Sequence, residues 1–223
     1  MSRILDGETL GIIAVTLRMA LTSTAISAIL GTALGLMLER ARFPGKSIIV
    51  RINRTLMGMP PVVMGLVVYL LLMRKGPLGI LGILFTVEAM VFAQVLIITP
   101  IICGMVYSAA QRNADSIRAF GITMGVSRVQ MNLLVIRELS NEIYFAVIAG
   151  FGRAVSEVGA IMIVGGNIQH RTRTMTTAIT LLRNKGNYTE AITLGVILLV
   201  IAFIIQLAAD YLRRKEQRTD ENY

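Results

Sequence analysis

The sequence has very little thiol or imidazole chemistry, since Cys103 is its one cysteine and His170 its one histidine. A single thiol excludes an intramolecular disulfide, and because Cys103 stands in an apolar run we expect it to pack as a small buried hydrophobe. His170 lies in a polar stretch and is interpreted as a solvated loop residue rather than a ligand or base. The chain also lacks a glycine-rich phosphate loop of the P-loop kind, so it cannot itself be a nucleotide hydrolase. The sequence therefore predicts no catalytic residue, no metal site and no cofactor.

Apolar residues are abundant: 55% of the 223 residues are hydrophobic, and the mean hydropathy is +0.70. A soluble domain of this size would have too little polar surface to cover that much apolar material, so a multi-pass membrane protein is predicted. The net charge of +9 does not indicate nucleic-acid binding, because the basic residues cluster in short loops between apolar runs. Asp6 and Glu8 precede a long first apolar run, which argues against a cleavable signal peptide.

The apolar runs indicate an all-α polytopic protein with about five transmembrane helices in a single membrane domain, residues 1–223. The predicted spans are residues 10–38, 56–73, 85–107, 143–166 and 190–210. A basic loop separates the first two spans. Pro60 and Pro61 stand near the start of the second span, where proline is tolerated, and we expect them to bend its entry.

The distribution of positive charge predicts the orientation of the spans. Five spans place the two termini on opposite sides of the membrane. The loops on one side carry thirteen Lys and Arg residues, and the loops on the other side carry seven. By the positive-inside rule, the N-terminus lies outside, and the C-terminus and the connection between the third and fourth spans are cytoplasmic.

That connection, residues 113–127, is predicted to be a short amphipathic helix. Asn113 or Asp115 is a candidate cap, and Gly125 is expected to end the helix as a residue in the left-handed region. Ser127 and Gln130 form a capping box that opens a second helix. The candidate apolar stripe is Ile117, Phe120 and Met124. We interpret the stripe as a docking face for a soluble partner; the alternative is a helix lying on lipid headgroups.

Two charges stand inside the fourth apolar run, Arg153 and Glu157, one helical turn apart. A charge at the bilayer centre costs about 2.5–3.5 kcal/mol on insertion scales, so such residues face a partner or a wet cavity. They either neutralise each other as a structural pair or line a conduction path. Ser156 lies beside them and is interpreted either as a helix-packing residue or as part of the same path.

The order of a short amphipathic helix, a glycine, a second helix and then a membrane helix resembles the permease subunits of bacterial ABC importers, in which a cytoplasmic loop carries an E-A-A-x-x-x-G signature. The matching positions are Ala119, Phe120, Gly121, then Gly125; the closing glycine is kept, and the glutamate and alanines are not. The chain is more closely similar to the tungstate-importer permeases, a branch near the molybdate permeases. The segments that carry this similarity are FPGK (43–46), MGMPPVVMGLVVYLLL (57–72) and AGFGRAVSEVGAIMIVGGNIQHRTRTMTTAI (149–179).

The resemblance implies a homodimer in the bacterial inner membrane that forms a translocation path for the oxyanion. It implies two cytoplasmic ATP-binding subunits engaged by the coupling segment, with Asp115, Ile117, Phe120, Gly121, Met124 and Gly125 as the coupling residues. An extracytoplasmic solute-binding protein would deliver the substrate, and ATP binding would drive alternating access. The expected function is therefore that of the permease subunit of an ATP-driven tungstate importer.

Three alternatives remain from the residues. A molybdate or sulfate permease of the same architecture would differ only in substrate. A secondary transporter would be expected to show discontinuous helices and intramembrane acids in paired halves, and the sequence shows no such repeat. An intramembrane enzyme would need sets of His, Cys or Asp residues that the chain does not have.

Overall fold

The computed structural model describes residues 7–220, except for the side chains of residue 128, residue 212 and residues 214–220. The regular elements over those residues are helices, with no strand and one short 3₁₀ turn at Gly79–Leu81. The α-helices in this part of the chain are α1 Gly7–Arg40, α2 Lys46–Met57, α3 Pro61–Leu72, α4 Val87–Thr123, α5 Arg128–Glu138, α6 Ser140–Ser156, α7 Gly159–Gly165, α8 Met175–Asn184 and α9 Tyr188–Asp220. The all-α fold class is confirmed.

Three helices, α1, α4 and α9, are each long and apolar enough to cross a membrane. Two further spans are broken: α2 and α3 meet at a bend of 103°, and α6 and α7 meet at a bend of 60°. If each bent pair counts as one span, the described chain has up to five spans, which agrees with the predicted number. The orientation of these spans stays a prediction.

Around the predicted second span, residues 56–73, the structure has two helices where the sequence predicted a loop followed by one helix. The stretch interpreted as a basic loop contains α2, whose isoleucines Ile48, Ile49 and Ile52 are exposed while Val50 is buried. The chain then turns at residues 58–60 and restarts as α3 at Pro61. A helix cannot run on through this turn, because Pro60 and Pro61 lack the N–H and restrict the residue before them. The bend expected at the two prolines is confirmed.

Helix α4 is longer than the sequence predicted, and it includes both the third span and the start of the predicted connection. The predicted third span ends at residue 107 and a separate helix begins after a cap at Asn113 or Asp115, whereas α4 is continuous for 37 residues. At 1.5 Å per residue it is about 55 Å long, well beyond the roughly 30 Å of a hydrocarbon core. Beyond residue 107 its residues Gln111, Arg112, Asp115 and Ser116 are exposed, while Ala110 and Ala114 are buried in one core with Val135 and Leu139. The helix continues because it has a buried alanine face, so no cap is needed.

Helices α1 and α4 form the central contact of the bundle. A Cβ at Gly31 would lie 2.7 Å from Cβ of Ile102, and one at Gly35 would lie 2.8 Å from the carbonyl oxygen of Cys103. Only glycine allows the two backbones to approach this closely. The core beside this contact brings α1, α4 and α6 together, and it contains Ala20, Ile98, Ile102, Val106, Ala146, Phe151, Ala154 and Val155. Cys103 is buried, as predicted.

Candidate coupling surface and intramembrane ion pair

The predicted coupling segment is the end of α4, its turn and the start of α5. Gly125 has φ +68°, in the left-handed region, and the N–H of Val126 donates to the carbonyl of Gly121 at 3.2 Å. This closes the helix at the residue that the sequence indicated. The capping box is also confirmed: the N–H of Ser127 donates to Oε1 of Gln130 at 2.8 Å, and the N–H of Gln130 donates to Oγ of Ser127.

The predicted apolar stripe is divided by the structure. Ile117 is half-buried against the core shared by α4, α5 and α6, whereas Phe120 and Met124 are 61% and 67% exposed. Gly121 is buried beside Met131, and Asp115 is exposed on the polar side. The stripe therefore leaves the bundle one turn after Ile117, and only its last part is free to meet another molecule.

Further apolar side chains extend this free part. Ile122 is 71% exposed at the end of α4, and Val129 and Leu133 are 80% and 66% exposed in α5. We call the set Phe120, Ile122, Met124, Val129 and Leu133 the α4–α5 tip. The capping box and Gly125 hold its two helices at a fixed turn. Exposed apolar side chains at the end of a helix that outruns the membrane thickness are typical of a protein–protein contact.

Glu39 is a residue of this region that the sequence did not single out. It stands next to last in α1, and its carboxylate accepts two hydrogen bonds from Arg118 of α4, at 2.8 Å from Nη1 and 2.6 Å from Nη2. The Glu39 side chain is 9% exposed and that of Arg118 is 25% exposed. No local signal could have found this pair, because its members are 79 residues apart.

The second predicted site lies at the break between α6 and α7. Arg153 Nη2 is 3.3 Å from Oε2 of Glu157, with side-chain exposures of 35% and 5%. The ion pair is present, but it spans the end of a helix rather than one turn of a continuous one: α6 stops at Ser156, and Glu157 has ψ 130°. The predicted fourth span, residues 143–166, therefore covers two helices with a bend between them rather than one continuous helix.

Glu157 accounts for the break through its hydrogen bonds. Its Oε1 accepts from the N–H of Ala160 at 3.1 Å, which satisfies a donor in the first turn of α7. Its backbone carbonyl accepts from the hydroxyl of Thr176 in α8 at 3.0 Å. The carboxylate thus acts as a partner for a helix start and for a guanidinium together, and the bend is fixed by buried polar contacts rather than by proline.

Arg153 is the only one of the two charges that reaches the surface of the chain. Ser156 is exposed beside it, and its hydroxyl donates to the carbonyl of Arg153 at 3.2 Å. Gly152 is exposed as well. From the inner side, Gln94 of α4 donates to the carbonyl of Ala154 at 3.1 Å and is fully buried. The result is a small polar face around a guanidinium, held in place by α4. Gln94, a lone amide in an apolar run, is a positioning residue that the sequence reasoning missed.

A further cavity lies elsewhere, between the starts of α1 and α9 and the helix α8. Its volume is about 580 Å³, and its lining includes Glu8, Arg173, Lys185 and Glu190. Arg173 donates to Glu8 at 3.2 Å at its edge. None of the predicted site residues lines it. Among the side chains that the structure describes, no group of three or more His, Cys, Asp and Glu could hold a metal ion.

Comparison with known proteins finds one matching family and several similar transport proteins. The profile of the family described as "Binding-protein-dependent transport system inner membrane component" matches residues 31–218. The tungstate uptake system permease protein TupB of Peptoclostridium acidaminophilum is 40% identical over 200 residues, covering 90% of this chain and 88% of that protein. A probable anion ABC transporter permease protein of Haloferax volcanii is 42% identical, covering 85% and 84%.

A second tungstate uptake permease protein TupB, from Campylobacter jejuni, is 37% identical over 173 residues, covering 77% of this chain and 72% of that protein. The matched region includes both sites described above, the α4–α5 tip and the Arg153–Glu157 pair, since both lie within residues 31–218. With its several apolar helices, the chain is a multi-pass protein of the cell membrane. It belongs to the family of inner membrane components of binding-protein-dependent transport systems, the permeases of ABC importers.

Proposed function

We propose that this chain is the permease of an ATP-driven importer that moves tungstate into the cytoplasm, working as a homodimer with two separate ATP-binding subunits and an extracytoplasmic solute-binding protein. The tungstate uptake permeases at 40% and 37% identity support the substrate. The chain's own part in the cycle is to form the path and to receive force from the ATPase, since the sequence has no P-loop of its own. We place the N-terminus outside, following the distribution of Lys and Arg.

The observation that carries the proposal is the α4–α5 tip. Its five apolar side chains are between 61% and 80% exposed at the end of a helix about 55 Å long. An amphipathic helix that lies on lipid headgroups would need basic residues along its polar face. Arg118 is instead bound by Glu39. The tip therefore fits a groove on a soluble ATPase better than a lipid surface.

The Arg153 face supports a path between two copies of the chain. A guanidinium that is 35% exposed cannot be left facing hydrocarbon, so it faces a second subunit or a watered path. An oxyanion such as tungstate suits this group, because guanidinium N–H donors match tetrahedral anions. In this proposal Arg153 and Ser156 line the path, and Glu157 limits how tightly Arg153 holds the anion, so that it can leave.

Selection between tungstate and molybdate is proposed to lie mainly in the binding protein. The two are near-identical tetrahedral dianions, and one guanidinium does not measure the small difference in their size. A molybdate or sulfate permease of the same architecture is separated from the proposal by uptake of each anion with the cognate binding protein. Preferred uptake of molybdate or sulfate would replace tungstate as the substrate and leave the rest of the proposal standing.

The coupling role is tested by reconstituting the chain with its ATPase and binding protein in proteoliposomes. Phe120→Asp or Gly125→Pro is expected to lower ATPase association and to uncouple hydrolysis from tungstate uptake, while the protein still enters the membrane. Ile80→Asp is the matched control, because Ile80 is an apolar residue with 95% exposure in a different turn. ATPase association should survive that change. Normal uptake by both tip variants would show that the docking assignment is wrong.

A further inference from the structure

The end of α1 is tied to both helices that carry the α4–α5 tip. Glu39 accepts the two hydrogen bonds from Arg118 of α4. The next residue, Arg40, donates to Oδ1 of Asn132 in α5 at 2.7 Å. A planar bidentate pair fixes orientation as well as distance, which a single contact does not. The last turn of α1 therefore holds α4 and α5 at one defined position.

The junction between α1 and the two tip-bearing helices combines apolar packing with polar contacts. Leu36 packs against the core that contains Val135 and Leu139. Beyond it, a cavity of about 230 Å³ lies among residues that include Met37, Arg118 and Asn132. Apolar packing is therefore incomplete where α1 meets the tip-bearing helices. The Glu39–Arg118 pair bridges that gap, and it is the best-buried ion pair between these elements.

From this junction, α1 leads to the Arg153 face. Gly31 and Gly35 keep its backbone against α4. Further along, Ala20 of α1 lies in one core with Phe151 and Ala154 of α6, which flank Arg153. A displacement of α1 is thus felt by the helix that ends at the Arg153–Glu157 break, because close-packed helices move together.

We propose that Glu39 and Arg118 are the positioning pair that transmits movement of the α4–α5 tip to α1, and through α1 to the Arg153 face. The inference rests on the proposed function and adds to it a named connection between the ATPase contact and the path. Without the pair, the last turns of α4 bend away from the end of α1 under the ATPase, so less of their movement reaches α1. More ATP is then hydrolysed for each tungstate ion transported.

The test measures tungstate taken up per ATP hydrolysed in proteoliposomes that contain the complete importer. Glu39→Gln and Arg118→Gln should each lower this ratio about tenfold, with the ATPase still bound. The exchange variant, Glu39→Arg with Arg118→Glu, should restore the ratio to within about threefold, because the pair is remade with its charges reversed. Arg118→Lys keeps the charge but loses the bidentate geometry, and it should give an intermediate ratio.

Arg18→Gln is the matched control. Arg18 also joins α1 to α4, through Glu88 at 3.2 Å, but it is exposed and remote from the tip. It should leave the ratio unchanged. A purely structural role for Glu39 would lower uptake and hydrolysis together with the amount of folded protein, at constant ratio, and would overturn the inference. If the glutamine variants do not accumulate, Arg118→Lys with a wild-type ratio overturns it equally.

The same experiment separates this inference from the proposed function. A wild-type chain that neither binds the ATPase nor takes up tungstate contradicts the proposed function, and the inference fails with it. A wild-type chain that does both, with glutamine variants that keep the wild-type ratio, contradicts the inference alone.

Discussion

The two ends of the α1–α4 contact are each closed by an ion pair, and the two pairs differ in kind. At one end, Arg18 and Glu88 are 69% and 58% exposed and share one hydrogen bond of 3.2 Å. At the other end, Glu39 and Arg118 are 9% and 25% exposed and share two. An exposed pair contributes about 0–1 kcal/mol, whereas breaking a buried pair leaves a charge without a partner and costs several times more. The end that carries the α4–α5 tip is the one that is firmly joined.

The largest effect on stability is expected from removing one partner of the part-buried Glu39–Arg118 pair. Glu39→Ala leaves Arg118 with only the weaker 3.8 Å ion pair to Asp115 and should reduce the free energy of unfolding by about 2–3 kcal/mol, below the fully buried case because Arg118 is partly exposed. The midpoint of thermal unfolding in detergent reports the loss. Glu88→Ala, at the opposite end, should cost under about 1 kcal/mol. Equal losses at the two ends would remove the distinction between them.

A somewhat smaller effect is expected from forcing the two helices apart between their ends. A side chain at Gly35 meets the carbonyl of Cys103, and Cβ of Val106 is 3.0 Å from the added Cβ. Gly35→Val should therefore destabilise the protein by about 2 kcal/mol through overpacking. Gly11→Val in the same helix is the control, since nothing lies within 4 Å of a Cβ there. Thermal unfolding of the pair of variants decides whether close approach, rather than glycine itself, is what matters.

The smallest effect is expected from removing the hydrogen bond between Arg40 of α1 and Asn132 of α5. Arg40 and Asn132 are exposed, so losing their hydrogen bond in Arg40→Ala should cost only about 0.5–1 kcal/mol. The ratio of uptake to ATP hydrolysis should fall less in this variant than in Glu39→Gln. If Arg40→Ala uncouples transport more strongly than Glu39→Gln, the main connection of α1 is the hydrogen bond to α5 and not the bidentate pair with α4.

Contacts between residues close together in the chain could be predicted from the sequence, whereas contacts between distant helices could not. The Ser127–Gln130 capping box, the end of α4 near Gly125 and the Arg153–Glu157 pair each depend on residues no more than a turn apart, and all three are found. The Glu39–Arg118 pair depends on which helices meet, and nothing near either residue encodes it. The membership of the α4–α5 tip was only partly predicted, because Ile117 is covered by the core of α4, α5 and α6.

The broken spans show the same limit in another form. Pro60 and Pro61 predict the bend between α2 and α3, because the proline ring fixes φ and removes the backbone N–H that a continuing helix needs. The bend between α6 and α7 has no such marker; it depends on Glu157 taking the N–H of Ala160 and on Thr176 from α8. A contact supplied by a later helix cannot be read from the run of apolar residues around Glu157.

The central claim, that the α4–α5 tip is a cytoplasmic contact for the ATPase, is tested most directly by labelling residue 120. Phe120→Cys in a Cys103→Ser background supplies one thiol, since Cys103 is the only native cysteine. A membrane-impermeant maleimide should leave it unlabelled in intact cells, label it after the cells are opened, and label it less when the ATPase is bound. Labelling in intact cells would place the tip on the extracytoplasmic side of the membrane and contradict its assignment as the ATPase contact.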